Sequence, residues 1–236
     1  MTMPMPFFND ALQPMTAQNP ARHTPAFGPG IDPLTQWNKR YGGEHYHFGE
    51  APNHYLSLQG THLRPGTALA LCDGEGRNGV WLAQQGLRVE AFDLSPVGIE
   101  KAHRLAASRN VTLECHCCTW QDFSWQDAAY DNVVGIFFQF ADPLERAQLF
   151  AHIDRSLKPG GTLVIQGYGI EQLRFNTGGP GKLEHLYDEA LLREAFPAYE
   201  ILDLRTYEQE VLEGPGHSGS SALVGLVARK PGGTKA

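Results

Sequence analysis

The chain has 236 residues, a formal charge of −7 and a sequence pI near 5.8. An acidic surface does not attract a polyanion, so nucleic acid is excluded as the expected partner. No run of about 18 apolar residues is present, which argues against a membrane-spanning helix. The N-terminus lacks the basic-then-apolar pattern of a signal peptide, so the cytoplasm is the expected location. The length suits a single α/β domain over residues 31–230 with a substantial core.

In chain order, residues 1–30 are rich in Pro, Met, Asn and Gln without periodicity and read as a flexible N-terminal arm. Residues 33–60 form an aromatic-rich cap that includes Trp37, Tyr41, His45, Tyr46, His47, Phe48, His54 and Tyr55. Aromatics at that density need surfaces to stack on. The segment therefore either covers a ligand or shields a sheet edge. Pro52 and Asn53 open the next helix, which runs to about Gln59.

The organising stretch is Leu69 to Asp93, LALCDGEGRNGVWLAQQGLRVEAFD. It reads as a buried strand, a turn with Gly74, Gly76 and Gly79 at G-x-G-x-x-G spacing, a helix to Gly86, and a second strand ending at Asp93. Glycines let the backbone approach a ligand, and the helix start offers unpaired N–H groups. A carboxylate ending the second strand can accept the ribose hydroxyls of an adenosine. The glycine pattern alone also fits NAD. Asp73 and Glu75 in the loop would repel a pyrophosphate and attract a cation, such as the ammonium and sulfonium of S-adenosylmethionine. Arg77 is expected to pair with one of these two acids, and Asn78 to cap or orient the loop.

Ser95 and Pro96 supply an N-cap and a first helical residue, and Ile99, Ala102, Leu105 and Ala106 give that helix an apolar face. Val111–Cys118 reads as a third strand. Its ECHCC run, with Cys72 elsewhere, makes no disulfide framework. Alternation sends Cys115 and Cys117 to one face and His116 and Cys118 to the other. Buried strand thiols are therefore preferred over a metal site. Tyr130–Phe137 reads as a fourth strand covered on both faces. A helix from Asp142 and Pro143 is expected to close at Gly160. A fifth strand over Gly161–Gln166 ends at Gly167 and Tyr168.

Residues 169–186 contain FNTGGPG, read as a substrate loop or a plain connection. A last helix spans Asp188–Phe196. Strands Glu200–Glu210 and Ser221–Arg229 are joined by EGPGHSG, an antiparallel hairpin.

Several of these motifs, in this order, resemble the class I S-adenosylmethionine-dependent methyltransferases. The resemblance is to the small bacterial tellurite-resistance and thiol methyltransferase group. It covers roughly Trp37 to Lys230 and rests on WNKRY, FGEAPN, DGEGRNGVWLA, FDLSPVGIEKA, YDNVVGIF, LKPGG and EGPGHSG. It implies a doubly wound three-layer α/β sandwich: a seven-stranded, mostly parallel sheet with a C-terminal antiparallel hairpin. It also implies that Trp37, Arg40, Tyr41, Tyr46, Gly49, Asp73, Gly74, Glu75, Gly76, Asn78, Asp93, Leu94, Thr119, Trp120 and Phe137 surround the cofactor. Many relatives carry an acid at the position of Ala70 and an aspartate at that of Thr119. Phe137–Phe140 should border the methyl group.

The hairpin loop is expected to return to the cofactor side, bringing Glu213 and His217 to the substrate. His217 is the first candidate for a general base, with His45 and Tyr168 as further catalytic candidates, unless it is an ordinary turn histidine. The expected activity is methyl transfer to a small molecule, possibly a thiol or other soft nucleophile, without a metal. An NAD-type oxidoreductase and a non-catalytic cofactor-binding relative are the alternatives.

Overall fold

The computed structural model describes residues 32–175 and 177–233; the N-terminal arm of residues 1–30 lies outside them. Seven strands form one sheet in the order β3-β2-β1-β4-β5-β7-β6. They are β1 (Thr67–Leu71), β2 (Arg88–Asp93), β3 (Glu114–Cys117), β4 (Tyr130–Ile136), β5 (Leu157–Tyr168), β6 (Glu200–Glu213) and β7 (His217–Arg229). The pairings among β1 to β5 are parallel, and β7 runs antiparallel to both of its neighbours, β5 and β6. The helices are α1 (Pro33–Tyr41), α2 (His54–Leu58), α3 (Arg77–Gln84), α4 (Pro96–Ser108), α5 (Pro143–Ser156) and α6 (Glu189–Ala195).

Strand alternation divides the core into two layers. Leu69 and Leu71 of β1 face one way and pack with Val133, Leu163, Leu226, α5 residues Leu149 and Ile153, and α6 residue Leu192. Ala68 and Ala70 face the other way, with Val134, Val164, Val227, α2 residue Leu56 and α3 residue Leu82. After β1 the chain adds β2 on one side and later β4 on the other. This reversal opens a crevice beyond the carboxyl ends of β1 and β4, where ligands bind in sheets of this kind.

The helix starts follow the sequence. Asn53, Ser95, Asp142 and Asp188 accept N–H groups of their first turns, and Pro33, Pro96 and Pro143 take early helical positions. Four expectations need correction. The helix before β5 closes at Ser156, because Leu157 turns extended and already pairs with Tyr130; Gly160, at φ +76°, lies within the strand. The third strand is only four residues long, because it pairs with β2 alone at the sheet edge. At that edge Cys117 is exposed and Cys115 and Cys118 are only partly covered, so these are not buried core thiols. Finally, the hairpin ladder extends to Glu213↔His217, so His217 is the first residue of β7, with Gly214–Gly216 as the turn.

Asn132, fully buried in β4, anchors the approach to β1. It accepts the N–H of Arg64 and donates to the carbonyls of Arg64 and Thr67. Asn132→Leu would strand three backbone groups. Urea unfolding should show a loss of about 3 kcal/mol; a loss below about 0.5 kcal/mol would show that the contacts are replaceable.

Candidate active site

The site is built at the end of β1. Gly74 and Gly76 take positive φ values of +57° and +88°. A Cβ on Gly74 would meet the Tyr41 hydroxyl at 2.5 Å, and one on Gly76 would meet Ala102 at 2.6 Å. Only glycine fits either position. Asp93, at the end of β2, accepts the N–H of Gly74 at 3.0 Å and that of Ser95 at 2.9 Å. It thereby ties the loop to the start of α4. Asp73 accepts the N–H of Gly79 at 2.9 Å, pinning the loop to the first turn of α3.

The two loop acids have different fates. Glu75 forms a buried ion pair with Lys101 at 2.7 Å, each side chain only 3 % exposed, and also accepts the His47 N–H. Its charge is spent on holding the cap to the loop. Asp73 has no ion pair among the described residues. Burial pushes its carboxyl up to about 7, and burial pushes Asp93 up to about 6. A carboxylate that is costly to ionise and lacks a cation suits a ligand that brings one. Arg77 pairs with neither Asp73 nor Glu75. It reaches Glu213 at 2.7 Å and the Phe48 carbonyl at 3.2 Å.

Glu213 is where three parts of the chain meet. Its carboxylate accepts from Arg77 of α3, from the Asn53 side chain at 3.0 Å and from the His54 N–H at 2.9 Å. Asn53 also donates its own N–H to Asn78 at 2.9 Å. Beside this junction the Gly216 N–H donates to the His47 carbonyl at 2.9 Å, and Gly214 lies against the backbone of Gly49. The cap, the glycine loop and the hairpin thus close on one another.

Together they enclose a cavity of about 540 Å³. Trp37, Arg40, Tyr41 and Gly49 of the cap line it, as do Asp73, Gly74, Glu75 and Asn78 of the loop. Asp93, Leu94, Thr119, Trp120, Phe137, Tyr168 and His217 complete the expected set. Trp37 stacks on Tyr41 at 5.2 Å, with the Arg40 guanidinium 4.7 Å over the Trp37 ring. Three expected residues lie outside the lining. Tyr46 donates its hydroxyl to the Lys101 carbonyl and covers the Lys101 ammonium. Gly76 packs on Ala102, and the carbonyl of His45 accepts from Lys101.

At the far end His217 is 8 % exposed, ringed by Phe137 at 4.2 Å, Phe48 at 4.3 Å and Tyr168 at 5.8 Å. Its Nδ1 and the Tyr168 hydroxyl are both sealed without a hydrogen-bond partner. Burial, followed by the positive charges of Arg77, His47 and Arg40, holds His217 well below the ordinary histidine value. The loop of residues 177–181 covers Tyr168: a Cβ on Gly178 would lie 2.7 Å from its hydroxyl.

Arg77 lines the cavity although it was expected to pair within the loop, and Phe48 and Gln139, which were singled out only as parts of the cap and of Phe137–Phe140, line it too. Gln139 bonds the backbone of Tyr168 and the His185 carbonyl. The one local signal for it was a buried amide in the apolar run FFQF. The ECHCC cysteines do not converge on a ligand set. His116 instead lies 2.9 Å from Glu90, near Glu114.

Residues 68–161 match the family model described as a methyltransferase domain. No curated protein matches the chain. Among solved structures, the chain resembles a protein studied for the conversion of a disulfide bond into a thioacetal group during echinomycin biosynthesis. That match has a TM-score of 0.68 at 15 % identity, over 86 % of this chain and 91 % of the other. TehB from Haemophilus influenzae matches with a TM-score of 0.63 at 18 % identity, over 84 % of this chain and 66 % of that one. The N-methyltransferase NodS from Bradyrhizobium japonicum, solved with S-adenosyl-L-homocysteine, matches with a TM-score of 0.63 at 14 % identity, over 84 % and 98 %.

The sheet order is that of the class I methyltransferase fold, and residues 68–161 match a methyltransferase domain. The domain match, with neighbours solved with S-adenosylhomocysteine bound, supports an S-adenosylmethionine-dependent methyltransferase over an NAD-type oxidoreductase. No described helix is long and apolar enough to cross a membrane.

The raised Asp73 carboxyl gives a pH signature. A cationic ligand selects its ionised form, so binding below about pH 7 must release a proton, and affinity must rise as pH passes upward through that value. Calorimetry should show S-adenosylhomocysteine affinity increasing about tenfold from pH 6 to pH 8. Affinity flat across this range would show that Asp73 does not meet the ligand's cation.

Proposed function

We propose that this methyltransferase acts on a small molecule whose methyl-accepting atom is a thiol or another soft, weakly acidic nucleophile. When bound, S-adenosylmethionine supplies the methyl group on a sulfonium, which is already a good leaving group. Asp73 would hold its ammonium, and Asp93 its ribose hydroxyls, each through the lone pairs left free by its backbone hydrogen bond. Trp37, Tyr41, Leu94, Thr119 and Trp120 would enclose the rest.

The observation that carries the reading is that these carboxylates share one cavity with an aromatic-walled His217, whose burial disfavours its charged form. A histidine held well below its ordinary value is neutral at physiological pH and ready to receive a proton. It is also a weak base, matched to an acceptor whose proton is loosely held, such as a thiol near 8.5, rather than an aliphatic alcohol. Phe48, Phe137 and Tyr168 exclude water from the acceptor, which raises its reactivity. The small-molecule scale follows from the enclosed volume. The sulfur chemistry named for the echinomycin-pathway structure lends analogy only. His45, outside the lining, has no place in this account.

Release of S-adenosylhomocysteine should be measured over panels of thiols, phenols, amines and alcohols. Turnover should favour thiols and acidic phenols; turnover confined to amines or alcohols would contradict the reading. His217→Ala should lower kcat roughly 100-fold or more while S-adenosylhomocysteine affinity stays within about threefold. Unchanged turnover would remove His217 from the chemistry.

A further inference from the structure

Glu213 and His217 are direct partners across the last rung of the β6–β7 hairpin. Residues opposite each other on antiparallel strands project to one face. The Glu213 carboxylate lies 4.0 Å from His217 Nδ1. That nitrogen is shut off from solvent and has no hydrogen-bond partner. The ring itself lines the cavity, which leaves Nε2 as the nitrogen facing the ligand space. A sealed Nδ1 can carry either a proton or a lone pair. The group within ion-pair reach of it is a carboxylate, which can only accept, so the proton belongs on Nδ1.

We propose that Glu213 is the positioning residue for His217: it fixes the proton on Nδ1, aims Nε2 at the methyl acceptor and provides the counter-ion for the imidazolium. This rests on the reading of His217 as the base. In the proton transfer, the acceptor's S–H or O–H bond breaks and its proton passes to Nε2. The electron pair stays on the acceptor heteroatom for attack on the donor's methyl carbon, whose bond to sulfur would break with its electron pair left on the departing S-adenosylhomocysteine. The positive ring is then held against Glu213 until the proton passes to water.

The groups facing His217 come from every element around it. Arg77 of α3 and Arg40 and His47 of the cap disfavour a charge on the ring, while Phe48, Phe137 and Tyr168 give it no charge partner. Arg77 also engages Glu213, at 2.7 Å. The carboxylate is therefore shared between Arg77 and His217, and it stands beside the ring when the ring is protonated. At 4.0 Å the pair is too long for a hydrogen bond; it closes as the ring takes its charge.

Two measurements test this on the full chain with S-adenosylhomocysteine bound. Long-range ¹H–¹⁵N spectra of histidine-labelled protein should show His217 as the Nδ1–H tautomer. The Nε2–H tautomer would overturn the proposal whatever the acceptor proves to be. Kinetically, Glu213→Gln, which keeps the side-chain shape and an acceptor for Asn53, should lower kcat roughly tenfold or more with cofactor affinity within about threefold. In the His217→Ala background the same change should leave the residual rate within about twofold. An equal loss in both backgrounds would show that Glu213 only holds the fold together. Wild-type turnover by His217→Ala alone would overturn the base reading and this proposal with it. Should Glu213→Gln fail to fold, the tautomer decides.

Discussion

The arrangement depends on one partly buried carboxylate. Glu213 receives hydrogen bonds from residues 136 and 160 positions away in the chain, Arg77 and Asn53. Arg77 begins the helix behind the glycine loop, Asn53 caps the helix that leaves the aromatic segment, and Glu213 ends a strand of the C-terminal hairpin. Removing one member of such a pair leaves a buried charge without compensation, which costs far more than an exposed pair contributes. The junction ties three sides of the cavity to one another.

Within those walls charge is separated. Asp73 and Asp93 make one end acidic, while Glu75, the third acid of the region, is neutralised by Lys101. The other end has Arg77, Arg40 and His47 around a neutral His217. On the proposed function, the acidic end suits a cationic methyl donor and the surroundings of His217 suit an acceptor that must lose a proton. Phe137 and Phe48 line the cavity and pack against His217, offering apolar walls with no charge. Catalysis on this plan comes from positioning and desolvation more than from strong acid–base chemistry.

Local features were legible in the sequence. The glycine spacing, the acid ending the second strand and the Ser95–Pro96 helix start are each set by a few adjacent residues, and the structure shows them in place. The cavity likewise gathers most of the residues singled out beforehand. What could not be read was long-range pairing. Arg77 looked like a partner for the acids two and four positions before it, yet it points to Glu213, because the loop turns it towards the hairpin. Gly160 looked like a helix stop, yet it sits inside a strand whose pairing with β4 begins at Leu157. His217 looked like a turn residue because hairpin length is set by register with β6, not by the glycines near it.

The central claim is that the cavity at the end of β1 holds an S-adenosyl ligand through Asp73 and Asp93. The most direct measurement is calorimetric titration of the purified chain at pH 8 with S-adenosylhomocysteine, and with NAD as control, repeated with Asp93→Asn. The account predicts one-to-one binding of S-adenosylhomocysteine, no heat from NAD, and a loss of affinity in the variant. Binding of NAD, or S-adenosylhomocysteine binding that is indifferent to Asp93, would contradict it.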